Sequence, residues 1–176
     1  PYSTAKYARW NRSEYMVGAL ARLNNNHSLL GPMAMEAAED LKIKVPCHNP
    51  FMNCAAQVVE CAHCFEESVQ IIDRFLETGI RAEDELVPVR SRSGRGVGAV
   101  EAPRGTLFHE YAFDDEGKCL EANLVIPTAQ NLGNLEADMW AYTPGILDRK
   151  EADIAHALEV LVRAYDPCIS CSTHVI

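Results

Sequence analysis

The stretch PFMNCAAQVVECAHCFEESVQIIDRFLET, residues 50–78, carries the longest periodic apolar pattern in the chain. Apolar side chains recur in it every three or four residues, which is the period of one side of an α-helix. The members of this apolar stripe are Cys54, Val58, Cys61, Phe65, Val69, Ile72 and Leu76. Gly79 follows, where a glycine commonly ends a helix. The pattern predicts one long helix whose stripe lies in the core.

Shorter elements are predicted before this helix. Pro32 suits a first helical position, and the apolar residues that recur after it predict a short helix that stops before Val45-Pro46. The polar run NNNHS, residues 24–28, predicts a loop.

Two β-prone runs, residues 106–113 and 120–126, flank the turn sequence DDEG and predict a hairpin. The polar stretches EDE, residues 83–85, and RSRSGRG, residues 90–96, predict a loop or an extended crossing. Within it begins GRGVG, residues 94–98, whose glycine spacing does not match a dinucleotide-binding loop, so that a simple turn is predicted.

Apolar spacing predicts two more helices, a short one around residues 132–139 and a last one over 154–165. Asp148 is the expected cap of the last helix, and Asp166-Pro167 must end it because proline disfavours helical geometry in the residue before it. The predicted fold is mainly α (α+β), with long core helices and a small β-hairpin, in one unit over residues 1–176.

Composition narrows the function classes. The 176 residues carry 16 Lys+Arg against 25 Asp+Glu, a formal net charge of −9, which opposes general binding to nucleic acid or to an anionic membrane. No apolar run is long enough for a membrane span and the first residues, PYSTAK, contain no apolar signal core, so a cytoplasmic location is expected. The seven cysteines are then expected to be core residues or metal ligands rather than a disulfide framework.

The segment DPCISCSTH, residues 166–174, is the strongest chemical signal. Cys168 and Cys171 are spaced to bind one metal ion, and His174 follows. Cys61 and Cys64 form a second pair of the same spacing, which leaves a four-thiolate zinc site as an alternative. The interpretation we favour for that pair is burial in the core of the long helix, because free cysteine is often buried. The remaining thiols, Cys47, Cys54 and Cys119, have no partner spacing.

The segment EAPRGTLFH, residues 101–109, places Arg104 in a glycine-bounded turn before the hairpin. From the residues alone, this arginine is equally a surface charge or a functional group.

Three segments together resemble one family. Residues 166–174 are similar to the D-P-C-x-x-C-x-x-H signature of nickel-iron hydrogenase large subunits, residues 101–109 to their E-A-P-R-G-x-L-x-H motif, and IPTAQN, residues 126–131, to their V-P-T-x-x-N stretch. All three occur in the family's order. Residues 17–24 resemble a further segment of the soluble, cofactor-linked members.

The resemblance implies a nickel-iron centre with carbon monoxide and cyanide on the iron. By motif position, Cys168 would be a terminal nickel ligand and Cys171 a ligand bridging nickel and iron. Arg104 would lie over the open metal face, and Asp166 would fix its orientation by a charge-assisted hydrogen bond.

The resemblance also implies residues around the centre. Pro103 and Thr128 would line the pocket of the cyanide ligands. His174 and the backbone carbonyl of Leu124 would bind Mg²⁺, and His109 would support the residues that touch the metals.

The family's R-x-C-G-x-C motif, which supplies the other two nickel thiolates, is absent. Residues 1–176 are therefore expected to be a C-terminal fragment whose first partner is the missing N-terminal part of the same subunit. Alone, it is expected to hold no complete centre and to be inactive. Val175 and Ile176 follow the position where the family's maturation endopeptidase cleaves, which suggests an unprocessed or truncated precursor.

The wording RGTLFH and CISCSTH looks most like the cytoplasmic NAD(P)-linked enzymes. In those, electrons from dihydrogen pass through an iron-sulfur small subunit to subunits that carry flavin and reduce NAD(P). Two alternatives remain: a structural zinc module using Cys61, Cys64, Cys168 and Cys171, or a complex I-like relative without hydrogenase activity. Cys168 and Cys171 argue against the second, because that relative has lost the thiolates.

Overall fold

The structure, a computed structural model, describes residues 7–79 and 90–168, and these form five α-helices and one three-stranded sheet. In chain order the elements are α1 (Ala19–Asn26), α2 (Pro32–Asp40), α3 (Asn53–Thr78), β1 (Gly94–Ala102), β2 (Gly105–Phe113), β3 (Cys119–Val125), α4 (Pro127–Tyr142) and α5 (Glu151–Ala164). Short 3₁₀ helices lie at His27–Leu29, Pro50–Met52 and Thr143–Ile146. The prediction of a mainly helical α+β fold is confirmed.

The long helix α3 is confirmed, but its apolar stripe lies on the exposed side of the helix and not in the core as predicted. Gly79 ends the helix at φ 74°, and its N–H donates to the carbonyl of Phe75 at 2.9 Å. Every member of the stripe is exposed, and the buried side carries Asn53, Ala56 and Val59 instead. At about 100° per residue, these three lie opposite the stripe. The small side chains are covered by α1 and α2, while none of the described residues covers the large ones.

The prediction that Cys61 and Cys64 are buried was therefore wrong, since both are exposed. Cys54, from the same stripe, is exposed as well.

The first core joins α1, α2 and α3. Its buried members are Ala19, Leu20, Leu23, Ala34, Ala56 and Val59. Glu66 of α3 caps α2, because its carboxylate accepts the N–H groups of Met33 at 3.0 Å and Ala34 at 3.3 Å. The short helix after Pro32 is thus confirmed.

The predicted loop at 24–28 was wrong, because α1 runs to Asn26 and a 3₁₀ turn follows it. A tertiary contact holds Asn24 in the helix: its side-chain amide donates to the Cys47 carbonyl at 2.7 Å and accepts from the Cys47 N–H at 2.8 Å.

The antiparallel sheet has the order β1-β2-β3. The β2–β3 hairpin is confirmed, but β1 occupies a segment predicted as loop and turn. The glycines that suggested a turn lie in register with large residues of β2, Gly96 with Tyr111 and Gly98 with His109. Pairing with β2 overrides their low strand propensity. Of the predicted polar crossing, residues 83–85 lie outside the described residues.

The second core joins α4 and α5 through Leu135, Leu161 and Tyr165. Helix α4 begins at Pro127 and is longer than predicted. Asp148 does not cap α5, since Lys150 occupies that position and provides no side-chain bond. The predicted end before Asp166 is confirmed. Within the described ranges, no helix has the length and apolar character needed to cross a membrane.

Candidate active site

Pro103 and Arg104 form a two-residue tip between β1 and β2, and backbone geometry holds this tip against the start of α1. Gly105, at φ +134°, closes the tip, and a Cβ there would lie 2.5 Å from Val17 Cγ2. Gly18, at φ +113°, would place a Cβ 3.1 Å from the carbonyl oxygen of Arg104. Glycine is required at both positions, because side chains disfavour these angles and would separate the two segments.

Arg104 reaches across the molecule to Asp166, which follows α5. Its Nε donates to the Asp166 carbonyl at 2.8 Å and lies 3.0 Å from carboxylate Oδ2, and its Nη2 donates to Oδ1 at 3.2 Å. The pair is partly exposed. Among the described residues, Arg104 Nη1 has no hydrogen-bond acceptor, so one end of the guanidinium remains free to act on another group.

Gln57 of α3 holds the same aspartate, and sequence reasoning missed it. Its side-chain amide donates to Asp166 Oδ2 at 3.0 Å. Together with Asn53 and Glu60, Gln57 forms a polar line at i, i+4 and i+7 in the otherwise apolar first part of the helix, residues 53–62, and that spacing is the signal that could have revealed it.

Tyr165 directly precedes Asp166, and its side chain is fixed by hydrogen bonds to α4. Its hydroxyl donates to Asp138 and accepts from the Asn134 amide at 2.6 Å. Burial and the bond to Asp138 raise the pKa of Tyr165, so the hydroxyl stays protonated as a donor. This buried contact fixes the end of α5 from which Asp166 extends.

Thr128, in the first turn of α4, meets the cysteine segment. Its buried hydroxyl oxygen accepts the N–H of Cys168 at 3.0 Å. This bond uses the hydroxyl as an acceptor, and its own proton remains available to donate. Cys168 is in a disulfide, so the expectation that the cysteines are not disulfide-bonded was wrong at this residue, and its sulfur must be reduced before it can bind a metal.

Gln130 and Asn131, in the same segment of α4, connect the remaining parts. The Gln130 amide donates to the Thr106 carbonyl of β2 at 2.7 Å. Asn131 pairs with the backbone of Val17, accepting its N–H at 2.7 Å and donating to its carbonyl at 3.2 Å. Buried amides bonded in this way fix α4 to β2 and to the start of α1.

The predicted site residues fall into three groups. The structure brings together Pro103, Arg104, Asp166, Thr128 and Cys168 through the contacts above. Cys171 and His174 lie outside the described residues, as do Val175 and Ile176.

His109 and Leu124 lie farther along the sheet, in register with each other on β2 and β3. His109 Nδ1 lies 3.0 Å from the Tyr111 hydroxyl. Within the described part of the chain, no hydrogen bond joins His109 to Arg104 or Asp166. The roles expected of His109 and Leu124 remain predictions.

The described residues contain no group of three or more His, Cys, Asp or Glu side chains placed to bind a metal. They bring together one cysteine, Cys168, and three polar groups. These groups are the Arg104 guanidinium with its free nitrogen, the Asp166 carboxylate that orients it, and the Thr128 hydroxyl with its proton. This set fits one side of a cysteine-bound metal centre whose other ligands come from elsewhere.

Comparison with known proteins identifies the family. The model of the nickel-dependent hydrogenase family matches residues 1–174. The chain is 35% identical to the alpha subunit of sulfhydrogenase 1 of Pyrococcus furiosus, over 99% of this chain and 40% of that subunit. It is 36% identical to the beta subunit of the NAD-reducing hydrogenase HoxS of Cupriavidus necator, over 91% of this chain and 34% of that one. The chain belongs to the nickel-dependent hydrogenase family.

A solved structure agrees with this assignment. The crystal structure of an NAD⁺-reducing [NiFe]-hydrogenase in the H₂-reduced state matches with a TM-score of 0.71 and 34% identity. The match covers 92% of this chain and 36% of that one. The chain thus spans about 40% or less of the length of these relatives.

Proposed function

We propose that this chain is the C-terminal part of the catalytic large subunit of a nickel-iron hydrogenase that splits dihydrogen reversibly and passes the electrons to NAD(P). The observation that carries the proposal is the pairing of Arg104 with Asp166 in a member of the nickel-dependent hydrogenase family, next to a segment that contains Cys168. Family membership supports the centre, and the pairing supports a working site around it.

Cys168 and Cys171 would supply two thiolates to a nickel-iron centre, and the N-terminal part of the subunit would supply the others. When bound, such a centre would supply the site at which dihydrogen is split, and soft thiolates suit that task. Pro103 and Thr128 would line the pocket of the cyanide ligands, and the Thr128 hydroxyl would donate its proton to a cyanide nitrogen. His174 and the Leu124 carbonyl would hold Mg²⁺, which prefers such a site with retained waters.

Arg104 would act through its free nitrogen. A guanidinium stays charged at any working pH, so it can polarise dihydrogen and assist the removal of a proton. Asp166 balances that charge and fixes the plane of the guanidinium through two carboxylate contacts, 3.0 Å and 3.2 Å long. Gln57 holds the carboxylate in turn.

NAD(P) linkage is supported by similarity to an NAD-reducing hydrogenase and to the solved NAD⁺-reducing structure. Other relatives are named for sulfhydrogenase and for F420-non-reducing hydrogenase, so the acceptor needs its own measurement. The partners we propose are an iron-sulfur small subunit and flavin-bearing NAD(P)-reducing subunits in the cytoplasm, with a maturation endopeptidase.

The test of Arg104 uses the complete large subunit in its complex. Arg104→Lys keeps the positive charge but loses the planar fork, so turnover of dihydrogen should fall by about 100-fold or more. Nickel and iron content should stay at the wild-type level. Arg163→Lys is the control, because Arg163 makes an exposed pair with Glu159 on α5 and should change nothing.

Wild-type turnover in Arg104→Lys would remove this residue from the mechanism. The acceptor is determined in the same complex by comparing dihydrogen-dependent reduction of NAD, NADP and an artificial dye. Reduction of the dye alone would reject the NAD(P) linkage while leaving the hydrogenase assignment intact.

Metal analysis tests the expectation for the chain alone. We expect the reduced 176-residue chain to retain no nickel-iron centre and to show no hydrogen uptake, because half of the thiolates are missing. Stoichiometric nickel with activity would contradict this. One tightly bound zinc per chain, lost in Cys61→Ser, would instead support the structural zinc module.

A further inference from the structure

Arg22 of α1 has hydrogen bonds from every nitrogen of its guanidinium, and it lies outside the three motifs that contain the predicted site residues. It contacts Glu60 of α3 through two bonds, from Nε to Oε1 at 2.6 Å and from Nη2 to Oε2 at 2.7 Å. Nη1 donates to Glu101, and these bonds raise the pKa of the Arg22 guanidinium. The side chain is largely buried, 23% exposed.

The rest of Arg22 holds the backbone of the tip itself. Nη1 donates to the carbonyl of Ala102 at 3.1 Å, and Nη2 donates to the carbonyl of Pro103 at 2.7 Å. These are the two residues immediately before Arg104. With the three bonds to carboxylates, all five N–H donors of the guanidinium are used.

Glu101 of β1 extends the arrangement to the other strand, because its second oxygen accepts the hydroxyl of Thr106 of β2. Both strands that carry the tip are therefore tied to Arg22. Glu60 fixes Arg22 to the helix that also carries Gln57, and Gln57 holds Asp166. A single rigid element, α3, thus sets the positions of both partners of the Arg104–Asp166 pair.

We propose that Arg22, held by Glu60, is a positioning residue that sets the location of the Arg104 guanidinium. It acts through the carbonyls of Ala102 and Pro103 and touches no reacting atom. This inference rests on the proposed function and deepens it. It assigns the exact placement of the Arg104 guanidinium to Arg22 and Glu60, which lie outside the cysteine motif.

Lysine cannot replace arginine in this role. An ammonium group lacks the planar fork, and it cannot bind both oxygens of Glu60 and two carbonyls at once. Arg22→Lys should therefore retain the charge while the tip shifts. Displacements of about 1 Å at a positioned group can reduce turnover by about 100-fold.

The experiment uses the complete large subunit in its complex, with Arg22→Lys, Arg22→Ala and Glu60→Gln. We expect kcat to fall by about tenfold or more with little change in the KM for dihydrogen, and nickel and iron content to stay at the wild-type level. Added guanidinium should restore part of the turnover of Arg22→Ala. Arg95→Lys is the matched control, since Arg95 also bridges two carboxylates, Glu110 and Glu121, but is exposed and does not touch the tip.

Amide hydrogen exchange of the peptide over residues 101–106 gives a readout that needs no activity. It should rise in Arg22→Lys and stay unchanged in Arg95→Lys. Unchanged kcat, or loss of metal in parallel with activity, would overturn the positioning role. If the wild-type complex itself lacks hydrogenase activity, the proposed function fails; faster exchange at the tip then supports the mechanical role of Arg22, and unchanged exchange rejects it.

Discussion

Helix α3 contains two regions with different surroundings. In the first half, Asn53, Gln57 and Glu60 reach other elements of the site, and Ala56 and Val59 are fully buried. From residue 67 to residue 78, every side chain is exposed, and the apolar stripe continues through this second half without cover from the described residues. The same helix is thus a structural centre at one end and a free surface at the other.

The difference shows that apolar periodicity does not by itself identify the core. The stripe is larger and more regular than the buried side, yet the buried side consists of small and polar residues that let α1 and α2 approach closely. What decides burial is which side meets a partner, and in this chain the partners meet the small side.

The largest expected effect is a difference in stability between substitutions of two valines on this helix. Val59 is 0% exposed and Val69 is 58% exposed. Val59→Asp buries an unpaired carboxylate and should lower the free energy of unfolding by about 4 kcal/mol or more. Val69→Asp should change it by less than about 0.5 kcal/mol. Urea denaturation of the 176-residue chain measures both, and equal losses would show that the second half is covered.

Local patterns were enough for most of the helices and for the hairpin. The end of α3 at Gly79 and the start of α2 at Pro32 depend on backbone properties of single residues, and these act over a few positions. Strand β1 could not be found in this way, because its glycines become a strand only when β2 pairs with them.

Part of the site could be predicted from the family resemblance, which indicates both Arg104 and Asp166. Their contact spans 62 positions of sequence, and no local pattern reports such a pairing. Arg22 was missed for the same reason. Gln57 and Glu60 do lie in a local polar line, but that spacing does not report which partners on other elements they bind.

The next effect concerns the polar line of the first half. Gln57→Ala removes the bond to Asp166 and should lower the free energy of unfolding by about 1 to 2 kcal/mol, since the acceptor is charged and partly exposed. Gln70→Ala, on the exposed half, is the matched control and should be near neutral. Differential scanning calorimetry compares the two; identical melting temperatures would show that the Gln57 bond contributes nothing to stability.

At the boundary between the halves, two neighbouring glutamates differ in role. Glu66 caps α2, whereas Glu67 lies 3.8 Å from His63 on the surface. Glu66→Ala should cost about 1 kcal/mol, the usual value of a helix cap, and Glu67→Ala should cost a few tenths at most. Thermal unfolding followed by circular dichroism distinguishes the two variants. A larger loss of stability in Glu67→Ala than in Glu66→Ala would place the boundary between the two halves later in the helix.

The smallest effect on stability comes from the stripe itself. Phe65, Ile72 and Leu76 are mostly exposed, so their replacement by serine removes little buried area and should change the free energy of unfolding by less than about 0.5 kcal/mol each. Their exposed surface should nevertheless bind a hydrophobic dye such as ANS, and the triple serine variant should bind less of it. A clear loss of stability without a change in dye binding would show that the stripe is already covered.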